Sequence, residues 1–514
     1  FASGKRDESM SLRDQHWTRP AMQPLTADVL LTADWARELL ETQLLELLRS
    51  KRWFSGKSNT SSEVHVVDSV PVVTGAHALE LAVVAVASGA GEPTSYVLPL
   101  AIESPSGDVS ECSGQRVFWW ELFRRLISEP AGISSRSGMS LVLKPGPGFD
   151  RLQSFGQDSP IEIHSGEQSN TSVILRADVF LKLFRKVEPG INPDAEVVSF
   201  LSGQTSFAAT PELIGTIELV EEESSRCLAL LTERIDSHGD AWTITLHELS
   251  GYWSRVANSD QRESPDLLGT FPSDVERLGR ITAELHAALA SGVSDPAFTP
   301  EPFTQTQLDE LIATVSGELS STCQLLVDAE VTSINPAALA EAGQNELARL
   351  SQLKLTGAEV QQIRCHGDYH LGQVLWTGSD WVIIDFEGEP DRPLSERREK
   401  WCALKDVAGM IRSFHYASCA ASVGLIDAPA DSIRGPERWQ NFWYESCRAS
   451  FLHGYFVAGQ TQEFIPNGEL LRQQLLDLFL LEKVLYELRY EIQNRPDWIP
   501  IPLLGLADVL RIRG

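Results

Sequence analysis

The sequence predicts an α+β protein in two parts, a strand-rich half followed by a mostly helical half. Two observations carry that expectation. Between residues 63 and 233, short alternating or apolar runs end at Gly- and Pro-bearing turns, the pattern of strands. Beyond residue 240, capping residues and apolar positions at helical spacing take over. At 514 residues the chain is also too long for one core, since domains run at about 150 residues each.

Residues 1–25 are polar and aperiodic, and read as a tail or linker. Thr32–Arg52 reads as a helix, with Trp35, Leu39, Leu40, Leu44, Leu47 and Leu48 at helical spacing and Thr32 as its cap. Strands are expected at Glu63–Val67, Ala78–Ala87 and Ser95–Ile102, and a second helix at Val117–Ile127. Further strands at Ile161–His164, Ser172–Leu175 and Val179–Phe184 precede a helix opened by Asn192-Pro193-Asp194. Asn is a favoured N-cap, Pro fits the first turn, and an early Asp complements the helix dipole. Two strands, Leu213–Leu219 and Leu228–Glu233, close the strand-rich half. Ser273 and Glu276 form a capping box for a helix to Ala290, Thr304 and Gln307 form another, and a third helix ends near Leu353. Two lobes with a cleft between them are expected.

Composition narrows the function. Acidic residues outnumber basic ones 71 to 43, a net charge of −28. Phosphate backbones and anionic lipid surfaces attract Lys and Arg, so neither nucleic acid nor membrane is an expected partner. The longest apolar runs, such as Leu81–Ala87, fall short of the roughly 18 residues a membrane span needs. The first residues carry Lys5, Arg6, Asp7 and Glu8 without an apolar core, so no secretory signal is expected. The seven cysteines are scattered without a CxxC pair, which reads as reduced thiols in a cytoplasmic protein.

The chemistry concentrates in Cys365-His366-Gly367-Asp368-Tyr369-His370-Leu371-Gly372-Gln373-Val374-Leu375-Trp376 and in Trp381–Pro390. Gln373–Trp376 and Trp381–Ile384 flank the turn Thr377–Asp380, so a hairpin is expected there. It would bring Asp368, Gln373 and Asp385 to one spot. Phosphoryl transfer needs such a gathering: one carboxylate accepts a hydroxyl proton, and the other oxygens hold the magnesium that neutralises phosphate charge. The spacing matches that of protein kinases, His-x-Asp with an amide residue five positions on and then Asp-Phe-x. Here Gly367 stands for Arg, Gln373 for Asn and Glu387 for Gly. Asp368 is the candidate base, Gln373 and Asp385 are candidate magnesium ligands, and Glu387 is a weaker third ligand. His366 reads as structural, orienting the loop by hydrogen bonds.

A nucleotide also needs a cation. Lys182 interrupts the apolar strand Val179–Phe184, and a buried ammonium needs partners such as ATP phosphates and a helix carboxylate, for which Glu196 is the candidate. Upstream, Gly166–Ser172 joins two strands where a phosphate-covering loop belongs, with Ser169, Asn170 and Thr171 as candidate contacts. Glu233 and Ile235 stand where extended backbone would meet the adenine edge.

At these residues the chain resembles the maltokinases, bacterial enzymes that make maltose 1-phosphate from maltose and ATP. Arg52-Trp53-Phe54, Gly166–Ser172, Asn192–Glu196, Cys365–Trp376, Ile384–Pro390, Arg392–Arg398, Lys405–Tyr416 and Glu482–Leu503 carry the likeness. The resemblance implies a bilobal protein-kinase-like fold with an extra N-terminal α+β cap subdomain over residues 26–110. An intermediate subdomain, 111–235, would complete the N-lobe, and 236–514 would form a mostly helical C-lobe. It implies ATP and magnesium as cofactors, and a role in feeding α-glucan and glycogen synthesis from trehalose. A trehalose synthase partner or fusion is a further implication, which the opening Phe1 leaves open. The acceptor site is then expected on the C-terminal helix, where Tyr486, Glu487, Tyr490 and Arg495 recur at helical spacing beside Lys483 and Glu491, with His370 next to the base. Two alternatives stand: a kinase for glucosamine or an aminoglycoside, and a non-catalytic nucleotide-binding module associated with trehalose synthase.

Overall fold

The chain divides into two units in the computed structural model. It describes residues 24–510, apart from 55–61, 88–92, 165–169, 189, 222–223, 261, 293–294, 356–359, 391, 422 and 427–432. One unit comprises Phe1–Ile191 with Ile214–Arg234, and the other Asn192–Leu213 with Ile235–Gly514.

The first unit is built on two sheets. One runs Glu63–Val73, His77–Ala87, Thr94–Glu103, Lys186–Val187, with Asp108–Glu111 also paired to Thr94–Glu103. From Ala78 onward the His77–Ala87 strand is an apolar run broken only by Glu80, and it is mostly buried on both faces. The helix Asp34–Ser50 inserts Leu40, Leu44 and Leu48 into a core with Ala82, Val84 and Leu98. Glu80 is fully buried, and Arg136 matches its charge. The second sheet has seven strands in the order Ile133–Ser134, Ser140–Pro145, Leu213–Glu221, Ser224–Glu233, Val179–Phe184, Asn170–Leu175, Ile161–Ile163.

The second unit is mostly helical. Helices Phe271–Leu289 and Pro436–Ala458 meet at two glycines: a Cβ on Gly279 would lie 2.1 Å from the Phe451 carbonyl, and one on Gly454 would lie 1.9 Å from that of Glu276. No side chain larger than hydrogen fits that approach. The helix Leu404–Ser418 packs on Glu469–Asn494. A three-stranded sheet centred on Gln361–Arg364 leads into the catalytic motif, and the hairpin follows, with Val374 opposite Ile383 and Trp376 opposite Trp381. Among the described residues, no helix is long and apolar enough to cross a membrane. The seven cysteines are free thiols, all buried except half-buried Cys227.

Three local expectations are corrected. Thr32 does not cap the first long helix; it ends a preceding short helix, Ala27–Thr32, whose own cap is Thr26, and the long helix starts at Asp34. Ser273 and Glu276 make no capping box, because the helix begins two residues earlier at Phe271 with Pro272 in its first turn. The helix Pro193–Gln204 groups with the helical unit and not with the sheets, since Phe200 stacks on Phe298 at 3.7 Å between ring centroids. Thr304 and Gln307 do form the expected box, and Asn192 caps its helix by accepting the Ala195 N–H at 3.0 Å.

Candidate active site

The hairpin brings the carboxylates together. Strand Trp381–Ile383 leads to Asp385, which adopts φ = +68°, a left-handed conformation that Asp tolerates better than most residues. That turn sets Asp385 and Glu387 beside Asp194, the second residue of the helix Pro193–Gln204. One carboxylate oxygen from each of the three lies within 4.8 Å of the others. Asp194 is buried and accepts the Phe386 N–H at 2.9 Å, which locks the turn to the helix start. Gln373 is tied to the same spot by backbone, its carbonyl accepting the Ile384 N–H at 3.0 Å. Three carboxylates are hard oxygen donors, the kind that suits magnesium.

Asp368 sits in the loop between Gln361–Arg364 and the hairpin. His366 is buried beneath it. The Ile384 carbonyl accepts from His366 Nε2 at 3.0 Å, and the Asp368 N–H donates to Nδ1 at 3.4 Å, so the Nε2–H tautomer fits both contacts. Asp406, buried in the helix Leu404–Ser418, accepts two backbone N–H groups of the same loop. Gly409, one turn on, lies so close to the loop that a Cβ there would stand 2.6 Å from the Tyr369 carbonyl. The Lys483 ammonium reaches Asp368 at 3.4 Å and Glu389 at 2.8 Å. Burial would lower this ammonium's pKa, but Glu389 and Asp368 raise it overall. Burial would likewise raise Glu389, yet Lys483 and Arg392 hold it down at about 2.

A cleft of about 520 Å³ opens over Asp368. His370, Tyr486, Glu487, Tyr490 and Arg495 all line it, so the structure gathers these expected acceptor residues around the candidate base, whereas Asn494 of the same helix is not among its lining. His370 Nδ1 accepts the Gly372 N–H at 3.0 Å, and Nε2 stands 3.8 Å from Asp368. Burial pushes the His370 pKa down, against the pull of Asp368, which favours the neutral ring at pH 7. Glu487 accepts from both Nε and Nη2 of buried Arg412, at 2.9 and 2.7 Å. Arg495 pairs with Glu491 at 2.7 Å, its guanidinium lying 4.6 Å from the Trp498 ring centroid and 5.2 Å from that of Tyr490.

Residues 160–388 match the family model described as "Phosphotransferase enzyme family", and residues 48–112 match "Maltokinase N-terminal cap domain". A glucosamine kinase of Streptacidiphilus jiangxiensis is 26% identical over 371 residues, 70% of this chain and 76% of that protein. Another, from Mycolicibacterium smegmatis, is 25% identical over 67% of this chain and 78% of its own length. The solved structure of a glucosamine kinase in complex with glucosamine, ADP and inorganic phosphate superposes with a TM-score of 0.61 at 20% identity, covering 87% of this chain and 94% of that one. A second glucosamine kinase crystal form gives 0.62 over 91% and 99%. The fold is kinase-like. The family matches and the relatives together support a kinase.

In kinase-like terms, the nucleotide candidates lie as follows. Lys182 faces Ser172 and Leu230 across the seven-stranded sheet, and Asn170, opposite Phe184, shares its face. Thr171 does not: strand alternation turns its side chain to the buried side, where it is 4% exposed. Ser169 lies outside the described residues. Glu233 accepts from Arg151 at 3.1 Å, and Ile235 is half-buried. Glu196 accepts from Arg364 and Arg398, both at 2.9 Å, arginine partners that its helix position did not announce.

Sequence reasoning missed several residues. Asp194 read only as a helix-dipole residue; its place two residues before Glu196 in Asn-Pro-Asp-Ala-Glu was the available signal. Asp240 and Trp242 enter the cleft because His238 and Gly239 pair with Trp376, a contact between segments more than 130 residues apart. Asp406 stood only within Lys405–Tyr416, one of the segments that carry the resemblance, with no role of its own.

Proposed function

We propose that the protein is an ATP-dependent sugar kinase that phosphorylates the anomeric hydroxyl of maltose to give maltose 1-phosphate. The observation that carries this reading is that the candidate base and the aromatic face of the C-terminal helix line one cleft. Asp368 accepts the proton of the anomeric hydroxyl. The oxygen bonds to the γ-phosphorus of ATP, and the bond to the β–γ bridging oxygen breaks with its electron pair leaving on ADP. Asp194, Asp385 and Glu387, with Gln373, are the residues that would hold magnesium, whose chemistry is to neutralise phosphate charge. Lys182 and Asn170 are the proposed nucleotide contacts of the sheet unit, and His366 orients the loop.

Charge pairing favours a neutral acceptor. Of the carboxylates lining the cleft, Asp368 faces Lys483, Glu487 faces Arg412 and Glu491 faces Arg495, while Asp240 caps a helix through the Thr243 N–H. An ammonium group would meet three carboxylates already matched by cations and a fourth engaged in a helix cap. The rings of Trp242, Tyr416, Tyr486, Tyr490 and Trp498 supply the flat apolar faces that sugar C–H surfaces stack on. The cap-domain match supports the same reading. The role proposed with it is to feed glycogen synthesis from trehalose, with trehalose synthase as a partner. The curated relatives favour a second reading, glucosamine as acceptor. Measuring the maltose dependence of ATP consumption tests the first reading: saturable consumption yielding maltose 1-phosphate supports it, and consumption with glucosamine alone replaces it with the second.

A further inference from the structure

We propose that Lys483 is a positioning residue of the phosphoryl-transfer centre. It holds the Asp368 carboxylate and ties it, through Glu389, to the segment carrying Asp385 and Glu387. This deepens the kinase reading and rests on it.

Lys483 lies on the helix Glu469–Asn494, whose neighbouring positions Leu481, Glu482, Val484 and Leu485 are buried. A lysine in such surroundings is costly unless its charge is matched. Its partners come from two separate segments: Asp368 from the catalytic loop, and Glu389 from just beyond the candidate metal ligands. The shorter bond, 2.8 Å, goes to Glu389, which is 5% exposed and also accepts from Arg392 at 2.6 Å. Glu389 is therefore the anchor, and the 3.4 Å contact to Asp368 is the directed one. The Tyr486 ring centroid lies 4.9 Å from the ammonium. A lysine that served the sugar alone would need no such anchoring. One that sets the base must be fixed relative to both the loop and the metal-bearing turn, and this one bridges them.

The test is steady-state kinetics of wild type, Lys483→Met, Lys483→Arg, Glu389→Gln and the Met/Gln double variant, with Mg·ATP and the sugar that the wild type turns over, alongside thermal melting. Lys483→Met is expected to lower kcat by about 10²-fold while the KM for Mg·ATP stays within about threefold. Lys483→Arg is expected to recover part of that loss. Glu389→Gln is expected to lower kcat too, and the double variant to fall well short of the product of the single effects. An unchanged kcat with a raised sugar KM in Lys483→Met would make Lys483 a sugar ligand only and overturn the proposal. So would Lys483→Arg that is no faster than Lys483→Met, or, where Lys483→Met does not fold, Glu389→Gln with full kcat. A wild type inert towards every sugar defeats the kinase reading and the proposal with it, whereas an active wild type beside an undiminished Lys483→Met defeats the proposal alone.

Discussion

Asp406 accepts the backbone N–H of His366 at 2.7 Å. The same carboxylate accepts the Gly367 N–H at 3.0 Å and stands 3.1 Å from His286 Nε2, so the loop that carries Asp368 hangs from a single buried acid on a different helix. Burial would raise the Asp406 carboxyl, but His286, His366 and the Gly367 N–H hold it below its ordinary value. Asp406→Ala leaves buried donors without an acceptor, and a loss of about 4 kcal/mol in urea-unfolding stability is expected, with turnover falling further than stability explains. A variant as stable and active as wild type would remove Asp406 from this role.

Asp194 tests the metal assignment, because its carboxylate was not legible as a ligand. Asp194→Asn keeps the size and one oxygen acceptor for the Phe386 N–H. The magnesium concentration giving half-maximal rate is expected to rise about 10–100-fold. An unchanged magnesium dependence would confine Asp194 to holding the turn.

His415 gives the second unit a pH signature. Burial, with Arg412 nearby, pushes its folded pKa down to about 4. The ring therefore stays neutral in the folded state while an unfolded histidine takes a proton near pH 6.5. Stability is expected to fall as pH drops from about 6.5 to about 4, by about 3 kcal/mol in all, and to show no further loss from this group below that window. Urea midpoints of wild type and His415→Gln at pH 7, 5.5 and 4.5 check it. The gap between the two should change with pH in this direction, and a constant gap would contradict it.

The geometry of the candidate catalytic motif was legible because its residues are local. His366, Asp368, Gln373 and Asp385 lie within one loop and hairpin, and hairpin geometry alone predicts that their ends meet. The arrangement of the proposed acceptor stripe was legible for a similar reason, since helical spacing puts Lys483, Tyr486, Glu487 and Tyr490 on one face. What sequence could not reveal was long-range pairing. Nothing local says that Arg412 engages Glu487, that Asp406 holds the loop, or that Asp194 joins Asp385, because each pair is set by how helices distant in sequence pack. The orientation of Thr171 was missed for the opposite reason: the segment was read as loop, and the strand that starts at Asn170 fixes its side chain on the buried face.

Glu487 should act on the sugar and not on the nucleotide. Held by Arg412, its carboxylate presents an acceptor to the cleft. Glu487→Gln is expected to raise the KM for the sugar about 10-fold with the KM for Mg·ATP unchanged. Equal effects on both would argue for a general disturbance of the helix.

The most direct measurement is ATP consumption by wild type and Asp368→Asn with maltose, glucose, glucosamine and trehalose. The account expects wild type to turn over maltose in preference to the others, and Asp368→Asn to lose at least about 10²-fold in kcat while still binding nucleotide. Undiminished turnover by Asp368→Asn, or no turnover by wild type with any of these sugars, would contradict it.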